Sequence, residues 1–301
     1  MIPSEASSPT RGAVLGAIAV LVGAFAVCYW HVLGKLLYDW AHDDNYSHGF
    51  LIVPLALYFA WERRQRVAAA DHRPAWLGLV VVVGGLGMLV AGTLGAELFV
   101  SRVSIILLIA GTVLFVAGYE TLRTLAFPIA FLLLMVPPPA IIFNQIAFPL
   151  QLLASQFGET TLQALSIPVL REGNVITLAN TTLEVAEACS GIRSLISLLT
   201  LGIVYGYFID RRPGIRTLIA LSTIPIAIVA NGLRVAGTGV AAHYYGAEAA
   251  EGFFHTFSGW IVFIAAFALL YMVATLIIRV APSPLSVTPT TSGPLTSEIV
   301  Q

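Results

Sequence analysis

Charged residues are scarce in this chain of 301 residues. They make up 10% of the sequence, against roughly 25% in soluble domains, while apolar residues make up 58%. A chain with so little charge and so many apolar side chains is typical of an integral membrane protein. The formal net charge of -1 also removes the electrostatic reason to expect a nucleic-acid partner.

Cysteine is nearly absent as well. The sequence holds two cysteines, Cys28 and Cys189, which excludes a disulfide framework and leaves helix packing in lipid to hold the fold. No HExxH or CxxC spacing occurs. We therefore predict no metal and no other cofactor.

Apolar runs long enough to cross a bilayer recur along the chain. A spanning helix needs roughly 17 to 25 mostly apolar residues, because in hydrocarbon its backbone groups must bond within the helix. We predict an all-α integral membrane protein whose multi-spanning domain covers 13–280. About eight transmembrane helices are expected, at 13–33, 48–61, 76–96, 103–118, 123–136, 190–209, 217–242 and 257–279. The second and fifth runs are short, so either could be re-entrant.

Arginines favour one set of loops, which sets the orientation. The richest segments are WERRQR at 61–66 and DRRPGIR at 210–216, and both fall on the same side of the predicted spans. Because positive loops stay in the cytoplasm, we predict a cytoplasmic N-terminus at 1–12 and a disordered cytoplasmic tail at 281–301. Alternatively, residues 13–26 could form a cleaved signal peptide.

The longest predicted external segment covers 137–189. Three prolines at 137–139 end the fifth span, since proline cannot continue a helix. From Ile141 to Leu165 apolar residues recur at helical spacing with polar ones between, as in an interfacial amphipathic helix. The run VLREGNVITLANTTLEVAEA then predicts two short strands around a turn at Gly173. A small external hairpin is thus expected before the sixth span. The segment 34–47 is a second predicted external loop.

Three polar side chains fall near this external face, each beside a late span. Cys189 opens the sixth span in ACSGIRS, Arg234 lies in the outer half of the seventh in NGLRVAG, and His255 precedes the eighth in HTFSGW. A thiolate near a helix N-terminus can attack a carbonyl, a guanidinium can stabilise the oxyanion that forms, and an imidazole can move the proton. Together they predict a cysteine acyl-transfer site.

Two neighbours of Cys189 are candidates to support this site. Arg193 lies one helical turn later, where its charge could favour the thiolate. Glu187 lies two residues earlier and could orient His255 or the substrate, since direct contact with sulfur would raise the thiol pKa.

A further candidate segment lies before the second span. Tyr46, Ser47 and His48 could line a groove for the substrate. Alternatively, they form an interface anchor in which Ser47 caps the following helix.

Two members of the predicted triad also have a purely structural interpretation. Cys189 could be a small buried side chain, because free cysteine is among the most buried residue types. Arg234 could extend to the interface and pair with Glu184, Glu187 or Glu251. An arginine inside a span more often faces a polar cavity or a partner, which favours the functional interpretation.

Several of these motifs together resemble one known family. They are YSHGFLIVPL at 46–55, LLLMVPPP at 132–139, EACSGIRSL at 187–195, NGLRV at 231–235 and HTFSGW at 255–260. The chain resembles the exosortase/archaeosortase family over about 39–279.

The resemblance implies a thiol transpeptidase in the inner membrane of a Gram-negative bacterium, with its active site on the periplasmic side. Its partners would be membrane-anchored proteins that carry a C-terminal signal of Pro-Glu-Pro type, then a transmembrane helix and a basic tail. The family triad of cysteine, arginine and histidine falls on Cys189, Arg234 and His255. No oligomeric state follows from the sequence.

Three rival functions are open from the sequence. The first is a secondary transporter in which Arg234 binds an anionic substrate, although no internal repeat is found. The second is redox chemistry through a disulfide between Cys28 and Cys189. The third is a metal site that draws on external side chains: His42, Asp43, Asp44, His48, His243 and His255.

Overall fold

Long helices make up most of the chain in a computed structural model. The structure describes residues 11–179, 181–185, 191–246 and 253–281, with side chains left out at 11, 13–15, 17, 18 and 253–258. In chain order the helices of this part are α1 (Arg11–His42), α2 (Gly49–Glu62), α3 (Arg64–Ala69), α4 (Trp76–Leu94), α5 (Leu98–Phe131, followed by a 3-10 turn at Leu132–Met135), α6 (Ala140–Ala164), α7 (Ile192–Ile209), α8 (Pro213–Tyr245) and α9 (Phe253–Val280).

Helix length and hydropathy confirm the all-α membrane fold. Within the described ranges, 7 helical stretches are long and apolar enough to cross a membrane, namely α1, α4, α5 with its 3-10 turn, α6, α7, α8 and α9. The apolar helix α2 is shorter, with 14 residues. The predicted count of eight spans therefore stays a prediction.

The helix α5 consists of two antiparallel halves that meet at Gly118. This glycine has φ 84° and ψ -177°, which interrupts the helix. Arg102 in the first half pairs with Asp39, and Met135 just after the second half accepts a hydrogen bond of 3.0 Å from the indole of Trp40. A straight helix from Arg102 to Met135 would be about 50 Å long, yet both residues contact consecutive residues of α1. The chain must reverse at Gly118, in agreement with separate predicted runs at 103–118 and 123–136.

Side-chain contacts mark the two ends of the bundle. At one end, called the Trp40 end, the carbonyl of Leu134 accepts a hydrogen bond of 3.1 Å from His48, next to the Trp40 contact. At the opposite end, called the Arg63 end, the Tyr207 hydroxyl donates to Glu62 at 2.5 Å and the Arg63 guanidinium lies 5.1 Å from the Tyr207 ring centroid. The aromatic and charged side chains of α2 and α7 join these helices at the Arg63 end.

The helix α6 packs along the second half of α8 and runs parallel to it. The backbone of Gly232 lies against the ring of Phe157, and that of Gly239 lies against Leu162, so residue numbers rise together in both helices. Arg216 places the start of α8 at the Arg63 end, because it donates to the carbonyl of a residue there. The second half of α8, and α6 beside it, therefore lies toward the Trp40 end.

Both ends of the segment 136–191 lie at the Trp40 end. The segment starts next to Met135, and the following helix α7 starts at Ile192, which packs with Tyr46 in one apolar cluster. Although α6 is a candidate span by composition, it has the lowest mean hydropathy of the seven, at 1.2, and its contacts keep it at one end. The predicted helix over 141–165 is confirmed, and its interfacial position stays a prediction.

A three-stranded antiparallel sheet follows α6, where two strands were predicted. The strands are β1 (Val169–Glu172), β2 (Val175–Leu178) and β3 (Thr182–Glu184), in the order β1-β2-β3. The predicted turn between the first two is confirmed, and Gly173 adopts φ 64° there. The prediction of two strands was wrong because β3 has only three residues, too few for a recognisable alternation. Ile176 and Leu178 of β2 complete an apolar cluster with α6 and α8.

The predicted end of the first span, at residue 33, was wrong. Helix α1 continues to His42, because its polar residues find partners along the helix instead of ending it. Lys35 pairs with Asp39 at 2.9 Å, four residues later, and Asp39 also pairs with the buried guanidinium of Arg102. The loop that remains is 43–48.

Replacing Gly118 tests the reversal in α5. We expect Gly118→Ala to lower the melting temperature of the detergent-solubilised protein, because this φ and ψ combination is essentially restricted to glycine and the new Cβ would collide with the Arg73 carbonyl. The strain amounts to about 1 to 3 kcal/mol. The control is Gly84→Ala in α4, where no atom lies within 4 Å of the added Cβ. Equal melting temperatures for the two variants would contradict a required reversal at Gly118.

Removing one side of the Asp39 and Arg102 pair tests whether the pair anchors α1. The Arg102 side chain is 3% exposed, so Asp39→Asn leaves a buried charge without its carboxylate. Breaking such a pair destabilises a protein by about 3 to 5 kcal/mol, whereas an apolar replacement of both partners is often near neutral. Thermal unfolding should show a large loss for Asp39→Asn and recovery in Asp39→Leu/Arg102→Met. The control Lys35→Met, at a side chain 46% exposed, should change little.

Candidate active site

The guanidinium of Arg234 packs directly on the backbone of α9. Arg234 lies in the second half of α8 and is partly buried. A Cβ built at Gly259 would lie 3.4 Å from Nη2 and 3.5 Å from Cζ of Arg234. Because glycine has no side chain, the charged group of α8 can lie against the neighbouring helix.

His255 occupies the turn of α9 just before this contact. It precedes Gly259 by four residues within one continuous helix, so both positions share a face of α9 and lie one turn apart. The described part of the structure includes the backbone of His255 but not its side chain. The position of the imidazole therefore stays a prediction.

The start of α7 packs on α8 one turn before Arg234. Gly191 adopts φ 77°, in the left-handed region that favours glycine. A Cβ at Gly191 would lie 2.6 Å from Cγ and 2.9 Å from Nδ2 of Asn231, closer than real Cβ contacts come. Both the backbone angle and the contact thus require glycine here. Cys189 and Glu187 lie outside the described residues, and Gly191 is the nearest described residue on the C-terminal side of Cys189.

Arg193 joins the start of α7 to the loop 43–48. Its Nη1 lies 3.2 Å from Oδ2 of Asp44, and its Nε donates to the side-chain oxygen of Asn45 at 3.3 Å. The Arg193 and Asp44 side chains are 41% and 81% exposed, so water screens the pair strongly. Arg193, the cation that follows the cysteine in sequence, therefore makes only a weak contact with the loop.

The predicted substrate-lining residues lie in this same loop. Tyr46 packs with Ile192 and meets the ring of Phe143 in α6 edge to face at 6.3 Å between centroids. Ser47 is exposed and donates to the Asp44 carbonyl at 3.2 Å. The loop segment thus contacts both α6 and the start of α7.

The alternative role of Ser47 as a helix cap was wrong. The cap position of α2 belongs to His48, which has helical φ and ψ and makes no side-chain capping bond. A side chain caps best from an extended backbone, and the chain is already helical here. His48 instead donates through Nε2 to the Leu134 carbonyl, and burial lowers the pKa of His48, so the neutral imidazole is favoured.

Asn231 is the residue that sequence reasoning missed. It is 4% exposed and lies three residues before Arg234, so the two side chains point from adjacent turns of α8. The available signal was a carboxamide inside an apolar span, in the same short motif as the arginine.

The rival metal and redox sites draw on residues that the structure describes only in part. Among the described residues, no three His, Cys, Asp or Glu side chains form a group that could hold a metal. Cys28 is exposed and lines an apolar groove between α1, α4 and α5. Because Cys189 lies outside the described part, a bond between the two cysteines is untested, and so is an ion pair of Arg234 with Glu187 or Glu251.

Comparison with known proteins identifies the family. A model of the transmembrane exosortase family matches residues 40–272, which include the loop 43–48, the start of α7 and the contact of Arg234 with Gly259. No curated protein and no solved structure matches the chain. The match covers well over half of the sequence and confirms the resemblance found in the motifs. The chain belongs to the transmembrane exosortase family, which assigns it a general role as a membrane transpeptidase in protein sorting.

Proposed function

We propose that this protein is a membrane cysteine transpeptidase that cuts membrane-anchored proteins at a C-terminal sorting signal. The signal would be of Pro-Glu-Pro type, followed by a transmembrane helix and a basic tail. Cys189 is the nucleophile, Arg234 stabilises the oxyanion and His255 carries the proton. The observation that carries this proposal is the packing of the Arg234 guanidinium on Gly259, one turn from the contact of Asn231 with Gly191.

Chain connectivity limits how far apart the three groups can be. Two peptide units separate Cys189 from Gly191, a reach of at most about 7.6 Å between Cα atoms. Along α8, Asn231 and Arg234 differ by about 4.5 Å, and along α9 four residues rise about 6 Å. These short separations along the chain support a site in which the three residues act together.

The reaction would proceed through a thioester. The Cys189 thiolate attacks the carbonyl of the signal peptide bond, and the planar guanidinium of Arg234 donates hydrogen bonds to the oxyanion. His255 gives a proton to the departing amine, so the C–N bond breaks and the acyl group stays on sulfur. Water or an amine then attacks the thioester, and His255 accepts the proton of that nucleophile. The thiolate is released unchanged.

The loop 43–48 would form a wall of the substrate groove. Tyr46, Ser47 and His48 belong to this loop, and Arg193 holds it against α7 through Asp44. A role for Arg193 in placing the loop fits these contacts. Glu187 would orient His255 or the substrate.

The proposed orientation places the Trp40 end in the periplasm of a bacterial inner membrane, with both termini in the cytoplasm. It is supported by the arginines at the opposite end, where Arg63 and Arg216 flank Tyr207. Positively charged segments stay on the cytoplasmic side.

Separate replacement of the two cysteines tests the nucleophile. When the protein is co-expressed with a tailed substrate, Cys189→Ala should abolish processing, because the thiolate forms the acyl bond. Cys28→Ser should keep processing, since Cys28 lies on α1, which carries none of the three proposed catalytic residues. Mass spectrometry of the substrate C-terminus gives the result. Equal loss in both variants would support a redox pair instead.

Changing the surface under Arg234 tests the oxyanion role. Gly259→Leu should lower the processing rate by about 100-fold, because a small displacement of a catalytic group has that effect. Gly259→Ala should retain most activity, since a Cβ there makes an ordinary contact at 3.4 Å. Arg234→Lys should insert normally yet process poorly, because it loses the planar fork.

The matched control is Gly237→Leu, on the same helix as Arg234 and with no atom within 4 Å of its added Cβ. Both leucine variants are compared for membrane insertion and for the rate at which shortened substrate appears. Normal processing by Gly259→Leu and by Arg234→Lys would remove the arginine from the mechanism.

A further inference from the structure

The helix α8 sends two buried polar side chains onto glycines of α7. Thr223 lies over Gly202, and Asn231 lies over Gly191. Both are nearly fully buried, at 0% and 4% exposure. Thr223 meets Gly202 through its methyl group, whereas Asn231 meets Gly191 through its carboxamide, and only the second contact lies two residues from Cys189 in sequence.

Close packing alone gives no reason for a carboxamide at position 231. Burying an amide in an apolar region is unfavourable, and an apolar side chain of similar size would fill the same space. A small cavity beside Asn231 and Gly191 has an apolar lining, which includes Leu150, Leu195 and Ala227. A carboxamide buried against Gly191 points to an interaction with the backbone at the start of α7.

We propose that Asn231 is a positioning residue for the nucleophile: its carboxamide holds Gly191, two residues after Cys189, and so fixes how far the start of α7 lies from Arg234. The inference rests on the proposed function. It adds a residue that acts through another, since Asn231 itself would touch neither the substrate carbonyl nor the leaving group.

Helix geometry gives this arrangement its consequence. Asn231 and Arg234 lie on adjacent turns of one rigid helix, about 4.5 Å apart along its axis. Helix α8 thus carries both the guanidinium of Arg234 and the carboxamide that holds Gly191. If Asn231 no longer held Gly191 in place, the distance from the Cys189 sulfur to the Arg234 guanidinium would change. The reaction rate depends steeply on that distance.

The experiment compares Asn231→Ala and Asn231→Asp with the matched control Thr223→Ala, all in a Cys28→Ser background. Two measurements are made on the full-length protein. One is kcat and KM for processing of a tailed substrate, and the other is the pH dependence of Cys189 alkylation by iodoacetamide. Thermal unfolding records the loss of packing that Asn231→Ala and Thr223→Ala are expected to share.

The two Asn231 variants should affect chemistry beyond stability. Asn231→Ala should lower kcat by about 10-fold to 100-fold and leave KM within about twofold. Asn231→Asp keeps the shape but adds a negative charge near the thiolate, so the alkylation midpoint should rise by about one pH unit. Thr223→Ala should change neither value, although it melts earlier.

Two results would overturn the inference. One is the same kcat and alkylation profile for Asn231→Ala and Thr223→Ala, and the other is an unshifted profile for Asn231→Asp. If Asn231→Ala fails to insert into the membrane, the alkylation profile of the isosteric Asn231→Asp decides whether the inference holds. Alkylation needs no substrate, so it tests Asn231 even if Cys189→Ala retains processing and the proposed function fails. A parent thiol that resists alkylation at every pH overturns both.

Discussion

Close approach of helices to α8 is the constraint on which the candidate site depends. In a bilayer, helices gain little from burying apolar surface against one another, so they associate by tight packing and by small residues that let backbones approach. The described contacts of α8 follow this rule. Gly191 brings the start of α7 against it, Gly202 brings the middle of α7, and Gly259 brings α9. Larger side chains at these positions would separate the helices and break the contacts that Asn231 and Arg234 make with them.

Charge inside the bundle is tolerated where the protein supplies a partner. At the Trp40 end, Asp39 pairs with the buried Arg102, which ties α1 to the first half of α5. The indole of Trp40, the next residue, binds the carbonyl of Met135 at the end of the second half. These two contacts fix the end of α1, and hence the start of the loop 43–48. The weak pair of Asp44 with Arg193 then needs only to orient a loop that is already anchored.

The sequence predicted what depends on composition and local chemistry. Long apolar runs gave the membrane bundle, the prolines at 137–139 gave the break before α6, and the turn at Gly173 followed from residues around it. Features that depend on distant partners could not be predicted. Helix α1 extends through Asp39 because Arg102, far along the chain, neutralises it. The contact of Asn231 with Gly191 likewise joins positions that no local pattern connects, although residue chemistry and the resemblance had both selected Cys189, Arg234 and His255.

The motifs that carry the family resemblance contain packing residues as well as the predicted catalytic ones. ACSGIRS contains Gly191, NGLRVAG contains Gly232, and HTFSGW contains Gly259, and each glycine lies at a contact that α8 makes with a neighbouring helix. The packing of Arg234 shows why these glycines are needed. A guanidinium in a membrane helix needs a surface on which to lie, and Gly259 provides one because it leaves the backbone of α9 bare. Without Gly191 and Gly259, larger side chains would hold the start of α7 and the helix α9 farther from α8, and the close contacts that Asn231 and Arg234 make there would be lost.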